Sequence, residues 1–331
     1  LVVERHARIL AQSPVNGPSF DVTSPLMRTM RLVIAAAAAL LLGAAGVAHA
    51  APTTPLPVPY NFPANLGNQL ADPAGSPPGT NDWSCRPSTA HPDPVVLVHG
   101  GFASPQVEWG TLGPLLHNAG YCVYALAWGG DPLPVPFTNF GGYQSVKPVG
   151  GPELSAFVQR VLQSTGARKV SLVSHSFGSL VDAYYTRYLG GAAHVSAVIS
   201  LAGLYRGVTV PESMRVNPPG CAVCTEPLAG SELVRAINAG GNPYLPRIRY
   251  TNVVTQYDDT VSPYTSGLVP GRRGQQVTNI VVQHGCPQDW SNHQAIIVTR
   301  RTGAFVLNAL DPAHPVPVPC ETVIPSYGGV R

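Results

Sequence analysis

VSLVSHSFGSL, residues Val170–Leu180, decides how this chain is read. Lys169 to Val173 reads as a strand, and residues from Phe177 to about Leu189 read as a helix. Between them lies Ser174-His175-Ser176-Phe177-Gly178, which matches the nucleophile elbow G-x-S-x-G except at its first position. A sharp strand-to-helix turn lifts the Ser176 hydroxyl to the top of the sheet. The positions two before and two after must be small, because strand and helix backbones nearly touch there. Alone, such a pentapeptide recurs by chance and reads as a serine N-cap. The flanking strand and helix give it weight.

Working outward, Val95–Val98 and Tyr121–Trp128 are further strand candidates, with Leu112, Leu115 and Leu116 at helical spacing between them and Gly120 as the stop. Leu154, Phe157, Val158, Val161 and Leu162 form an i, i+3, i+4, i+7, i+8 stripe that ends at Gly166. Val195–Leu201, Tyr250–Gln256 and Val277–Val282 read as strands, and Gln294 to Leu310 as a last helix. Strands alternating with helices predict an α/β fold with a mostly parallel sheet over residues 95–320. Residues 51–94 are rich in Pro, Asn and Gly and are expected to wrap the surface. Residues 203–249 contain no strand pattern, six prolines and one helix from Ser231 to Asn238. An insertion of that kind usually covers a site. Residues 321–331 read as a tail.

A serine hydroxyl is a weak nucleophile until a histidine takes its proton and a carboxylate fixes that histidine's tautomer. In this fold the acid precedes the histidine along the chain. Asp258 follows the strand Tyr250–Gln256 directly and is the expected acid, while Asp259 reads as a solvated turn residue. His293, after the final strand, is the expected base. His284 sits on the strand end itself, and Asp289 reads as a loop or cap residue. Backbone N–H donors for an oxyanion are expected at Gly101, in the loop His99-Gly100-Gly101-Phe102, and at Phe177. His99 is expected to orient that loop, and His175 to pack behind the elbow. Phe102, Leu204, Leu233 and Val261 are the candidates for lining an acyl pocket, with Tyr205, Met214, Leu228, Val234 and Ile237 as further apolar residues of the insertion.

Met27 to Ala50 joins a charged start (Arg28, Arg31), the apolar run Leu32–Val47 and the small-x-small triplet Ala48-His49-Ala50. This predicts a secretory signal peptide cleaved after Ala50, with residues 1–26 as upstream sequence. Without the four basic and two acidic residues of positions 1–50, sixteen Lys and Arg face fifteen Asp and Glu. A near-neutral chain points to uncharged substrates and away from nucleic acid; Arg272-Arg273 and Arg300-Arg301 read as solvated surface. All six cysteines follow the leader, so three disulfides are expected in an oxidising compartment. Cys221 and Cys224 can close a local loop, Cys286 and Cys320 bracket the last helix, and Cys85 remains for Cys122. No clustered carboxylates suggest calcium, and no metal or other cofactor is expected.

PVVLVHGGF (94–102), GYCVYALAWG (120–129), VSLVSHSFGSL, AGSELVRAINAGG (229–241), YDDTVSPYTS (257–266) and CPQDWSNHQAI (286–296) together resemble the secreted actinobacterial triacylglycerol lipases of the class 2 lipase group, in the α/β-hydrolase superfamily. A more distant similarity is to the yeast lipase B type. The resemblance runs from about Trp83 to Cys320 and implies Ser176 as nucleophile, Asp258 as acid, His293 as base, and Gly101 and Phe177 as oxyanion donors. It implies a secreted enzyme acting on lipid esters; a monomer that takes a lipid or other ester substrate, with a lipid–water interface as its setting, is expected. Two alternatives share the pattern: a short-chain esterase or polyester or cutin hydrolase, and an inactive binding protein on the same fold.

Overall fold

Alternate residues of the strand Val95–Val98 enter two different cores. In the computed structural model, which describes residues 54–330 except 132 and 211–220, Val96 and Val98 pack on one face of the sheet and Val95 and Leu97 on the other. The expected leader and Met214 lie outside the described residues. All four side chains are buried, the mark of a strand covered on both faces.

Among the described residues six strands form one parallel sheet in the order β2-β1-β3-β4-β5-β6: β1 Val95–Val98, β2 Val123–Leu126, β3 Val170–His175, β4 Val195–Leu201, β5 Arg249–Val254 and β6 Gln276–Val281. The helices are α1 Phe62–Ala71, α2 Pro105–Trp109, α3 Leu112–Asn118, α4 Gly151–Thr165, α5 Gly178–Tyr188, α6 Glu232–Ile237 and α7 Arg300–Leu310; a small hairpin, β7 Thr322–Ile324 with β8 Gly328–Val330, follows. One face of the sheet carries α4, α5 and α6, through Leu154, Val158, Val161, Leu180, Val181, Leu233 and Ile237. The other carries α3 and α7, through Leu112, Leu116 and Val306. This is the α/β-hydrolase arrangement, and the register Val98↔Ser174↔Ser200 brings the ends of β1, β3 and β4 level where the site is built.

Several elements differ from the sequence reading. Helix α1 lies in the stretch expected to be irregular: Asn61 caps it by accepting from Ala64 N–H, and the side chains it buries are Asn65 and Gln69. A helix that packs through amides leaves no apolar period to read. The last expected helix is broken at Thr299, whose extended backbone ends a 3₁₀ turn (Ala295–Val298) and whose hydroxyl caps α7. The expected tail contains β7 and β8, and it is stitched to α1: Phe62 N–H donates to Tyr327 C=O at 2.6 Å, and Gly329 N–H to Tyr60 C=O at 3.2 Å. Arg300 and Arg301 are not solvated surface. Arg301 is buried and donates to the carbonyls of Val282, His284 and Pro319, while Arg300 pairs with Glu321 at 2.8 Å. Arg272 and Arg273 are exposed. Disulfides join Cys85 to Cys122, Cys221 to Cys224 and Cys286 to Cys320.

Candidate active site

The turn after β3 holds Ser176 at φ +52°, a left-handed conformation that non-glycine residues adopt at a cost and that recurs at functional turns. Close packing requires it. A β-carbon on Gly178 would lie 2.5 Å from the Val98 carbonyl oxygen, so β1 and the start of α5 are in backbone contact and only glycine fits between them. The Ser176 N–H is tied to Leu201 C=O on β4 at 2.9 Å. The hydroxyl is thereby aimed over the carboxyl ends of the strands.

His293 Nε2 lies 2.9 Å from Ser176 Oγ, and His293 Nδ1 lies 3.0 Å from both carboxylate oxygens of Asp258. A carboxylate can only accept, so Nδ1 carries the ring proton and Nε2 is left to accept from the serine hydroxyl. Asp258 is held in turn by Val261 N–H at 2.7 Å and Thr260 N–H at 3.0 Å. Burial pushes its carboxyl up, but the His293 hydrogen bond and charge, with those two N–H groups, outweigh it and keep the acid below its ordinary value. The arrangement can pass a hydroxyl proton to imidazole while stabilising the imidazolium that forms.

Asp259 is exposed but is more than a solvated turn residue: it accepts from Asn292 Nδ2 at 2.8 Å and from His293 N–H at 3.4 Å. Asn292, which the sequence reading passed over, also bonds Ser326 in the turn between β7 and β8. His284 is exposed, with its carbonyl engaged by Arg301. Asp289 is fully buried and accepts from Ser291 N–H.

Phe177 begins the helical turn after Ser176, where N–H groups have no intrahelical acceptor. Gly101 lines a cavity of about 130 Å³ beside Ser176 and His293, with Phe62, Phe102, Ala103, Val107 and Ile297 among its walls. His99 holds this loop from below: its Nδ1–H donates to Gly100 C=O at 2.8 Å and its Nε2 accepts from Trp128 N–H at 3.2 Å. Burial pushes the His99 pKa down, which suits this neutral tautomer.

Of the four residues expected in an acyl pocket, Phe102 alone borders this cavity; it is 61% exposed, at φ +49°. Leu204 and Leu233 are instead packed in the core, together with Tyr205, Val234 and Ile237, because the insertion lays its apolar side chains onto the sheet face, and Val261, outside the insertion, is buried in the same core. Phe62, from the N-terminal arm, forms a wall that the sequence reading did not foresee.

Two buried carboxyls also went unread. Asp182, on α5 behind the elbow, has its carboxyl pushed up to about 8 by burial, opposed in part by the Ser174 hydroxyl. Glu108, on α2, meets His175 Nδ1 at 2.9 Å. A lone acid between Val107 and Trp109, in a chain only 11% charged, was the available signal.

Comparison with known proteins agrees with this architecture. A triacylglycerol lipase of Pseudarthrobacter phenanthrenivorans is 32% identical over 140 residues, spanning 38% of this chain and 39% of that protein. One of Burkholderia plantarii is 32% identical over 140 residues, spanning 38% of this chain and 35% of its own length. The chain thus spans under two fifths of either curated relative. The crystal structure of Aspergillus fumigatus lipase B superposes with a TM-score of 0.53 over 74% of this chain and 57% of its own, at 17% identity, a likeness of fold. The family model of the class 2 lipases matches residues 92–302, well over half of the sequence, and the chain belongs to that family.

Proposed function

We propose that this protein is a secreted carboxylic ester hydrolase acting on lipid esters of the triacylglycerol type. The observation that carries the reading is the hydrogen-bonded series Ser176–His293–Asp258 on a left-handed turn at the sheet's carboxyl end. Ser176 Oγ attacks the ester carbonyl carbon as its proton passes to His293 Nε2. The oxyanion is held by the N–H groups of Gly101 and Phe177, each worth about 3 kcal/mol in such sites. His293 then protonates the departing alcohol, and water, deprotonated by the same ring, releases the acid and restores the serine. The steps balance with no added cofactor. Membership of the class 2 lipases and two relatives named as triacylglycerol lipases support this chemistry.

Secretion is supported by the leader-like segment before Ala51 and by three disulfides. Action at a lipid–water interface is supported by exposed apolar side chains: Leu66 and Leu70 on α1, Phe102 at the cavity, and Val135 and Phe137 in a loop tied to α1 by the bond from Gln69 Nε2 to Pro136 C=O. A second reading, hydrolysis of short-chain or polyester substrates, is favoured by the small size of the cavity beside Ser176.

The test is fluorophosphonate labelling of the mature oxidised protein, mapped by peptide mass, together with hydrolysis of p-nitrophenyl butyrate and palmitate. Labelling of Ser176 with turnover of palmitate is the expected result. Turnover of butyrate alone moves the substrate to short acyl groups. A folded protein with neither label nor turnover is an inactive binding protein.

A further inference from the structure

A second histidine–carboxylate pair lies beneath the first. Glu108 Oε1 meets His175 Nδ1 at 2.9 Å, Glu108 Oε2 accepts from Gly100 N–H at 3.0 Å, and His175 Nε2 lies 3.0 Å from the carbonyl oxygen of His293. One carboxylate therefore reaches the backbone of the loop that carries Gly101 and, through one imidazole, the backbone of the residue facing Ser176. The His175 and His293 rings are 4.6 Å apart. We infer that Glu108 and His175 are a positioning pair that fixes His293 and the Gly100–Gly101 loop relative to Ser176, an inference that rests on the ester-hydrolase reading above.

Packing leaves little slack in this unit. A β-carbon on Gly100 would lie 3.0 Å from Ser176 Cβ and 3.1 Å from Glu108 Oε1, so loop, nucleophile and carboxylate are in van der Waals contact. The helix bearing Glu108 is itself anchored. Ser104 caps α2 and donates to Gln69 Oε1 at 2.6 Å, and Asn65 Nδ2 donates to Val107 C=O at 2.9 Å. The chain of contacts runs from α1 through α2, Glu108 and His175 to His293.

The protons also follow from the geometry. Both partners of His175 are acceptors, so an ionised Glu108 requires a doubly protonated imidazole. Burial pushes His175 down, but the charge and hydrogen bond of Glu108 raise it above its ordinary value; burial pushes Glu108 up, but His175 brings it below. A buried carboxylate is costly unless paired and bonded, and an apolar pair would fill the same space without that cost. What an apolar pair lacks is the two directional contacts to backbone.

The substitution Glu108→Gln separates hydrogen bonding from charge. Its oxygen can accept from Gly100 N–H, its amide can donate to His175 Nδ1, and a neutral His175 still donates to His293 C=O. The experiment compares wild type, E108Q, E108A and H175A, as mature oxidised protein, by p-nitrophenyl butyrate kinetics and by NMR of the low-field His293 Nδ1 proton. The expected result is a kcat for E108Q within about threefold of wild type, and about a hundredfold loss of kcat at similar KM for E108A and H175A, the size of effect a displacement near 1 Å produces. The His293 proton signal should stay in place in E108Q and shift or broaden in the alanine variants.

Folded alanine variants with wild-type kcat and an unmoved signal overturn the inference. Where the alanine variants do not fold, E108Q decides: retained kcat supports positioning, and a hundredfold loss overturns it. A wild-type protein that neither turns over ester nor takes the fluorophosphonate label defeats the hydrolase reading, and the His293 signal still reports separately on the pair.

Discussion

Val223 Cγ2 stands 2.5 Å from the point that a β-carbon on residue 101 would occupy, so Gly101 and Val223 fill one space between them. Val223 lies on the turn closed by Cys221 and Cys224, and that turn is fastened to Tyr143 C=O by the N–H groups of Ala222 and Val223, at 2.9 and 3.3 Å. Part of the insertion therefore rests directly on the loop expected to hold the oxyanion.

Gly101→Ala should lower kcat toward p-nitrophenyl butyrate by tenfold or more, because the new methyl must displace either Val223 or the donor N–H, and overpacking of this kind costs about 1–3 kcal/mol. Val223→Ala in the same chain should restore most of the rate. Kinetics on the single and double variants check this; a double variant as slow as G101A would refute the shared space.

Asp258→Asn should leave the fold intact and lower kcat by about 10³–10⁴, since an amide can favour the wrong ring tautomer of His293. The carboxyl's depressed pKa also sets a sign. A depressed group adds stability that is fully present above its unfolded value and is lost as pH falls through its folded value. The stability difference between wild type and D258N should therefore shrink on acidification below about pH 4, as urea unfolding across that range would reveal.

Asp182 predicts the opposite slope. Its carboxyl is raised from 3.8 to about 8, so between those values the folded protein holds a proton that the unfolded chain has released. Stability should fall as pH rises through that interval, with a gradient approaching ~1.4 kcal/mol per pH unit at its steepest. Asp182→Asn should flatten the curve and unfold at higher denaturant than wild type at pH 8. Equal pH slopes for the two proteins would refute the assignment.

Gly178→Ala should be among the most damaging single-methyl changes in the chain. The nearest atoms to the added carbon, Val98 O at 2.5 Å and His99 O at 2.7 Å, are both backbone, so no side chain can rotate away. A loss of about 3 kcal/mol or more is expected, at the upper end for overpacking. Thermal unfolding beside Gly67→Ala, where a β-carbon meets nothing within 4 Å, gives the control.

The parallel sheet was legible in the sequence because buried strands such as Val95–Val98 are apolar on both faces, and because Gly166 and Gly178 stand where left-handed or close-packed backbone requires them. The residues facing Ser176 were legible through the order of acid and histidine after their strands. Glu108 was not, since a buried ion pair depends on His175, 67 positions away, and a lone acid between apolar neighbours does not show which partner it meets. Helix α1 was hidden by its amide packing face. Leu204, Leu233 and Val261 were misplaced because apolar residues look alike in sequence whether they face a ligand or a core.

The hydrogen bonds from Phe62 to Tyr327 and from Gly329 to Tyr60, with the contact of Ser326 to Asn292, join the beginning and the end of the folded unit at the wall of its cavity. A ribosome delivers these partners at opposite ends of synthesis. Until residue 329 has emerged and folded back, Phe62 lacks its bond to Tyr327 and the loop bearing His293 lacks one of its braces, so a growing chain carries Ser176 without a finished cavity around it.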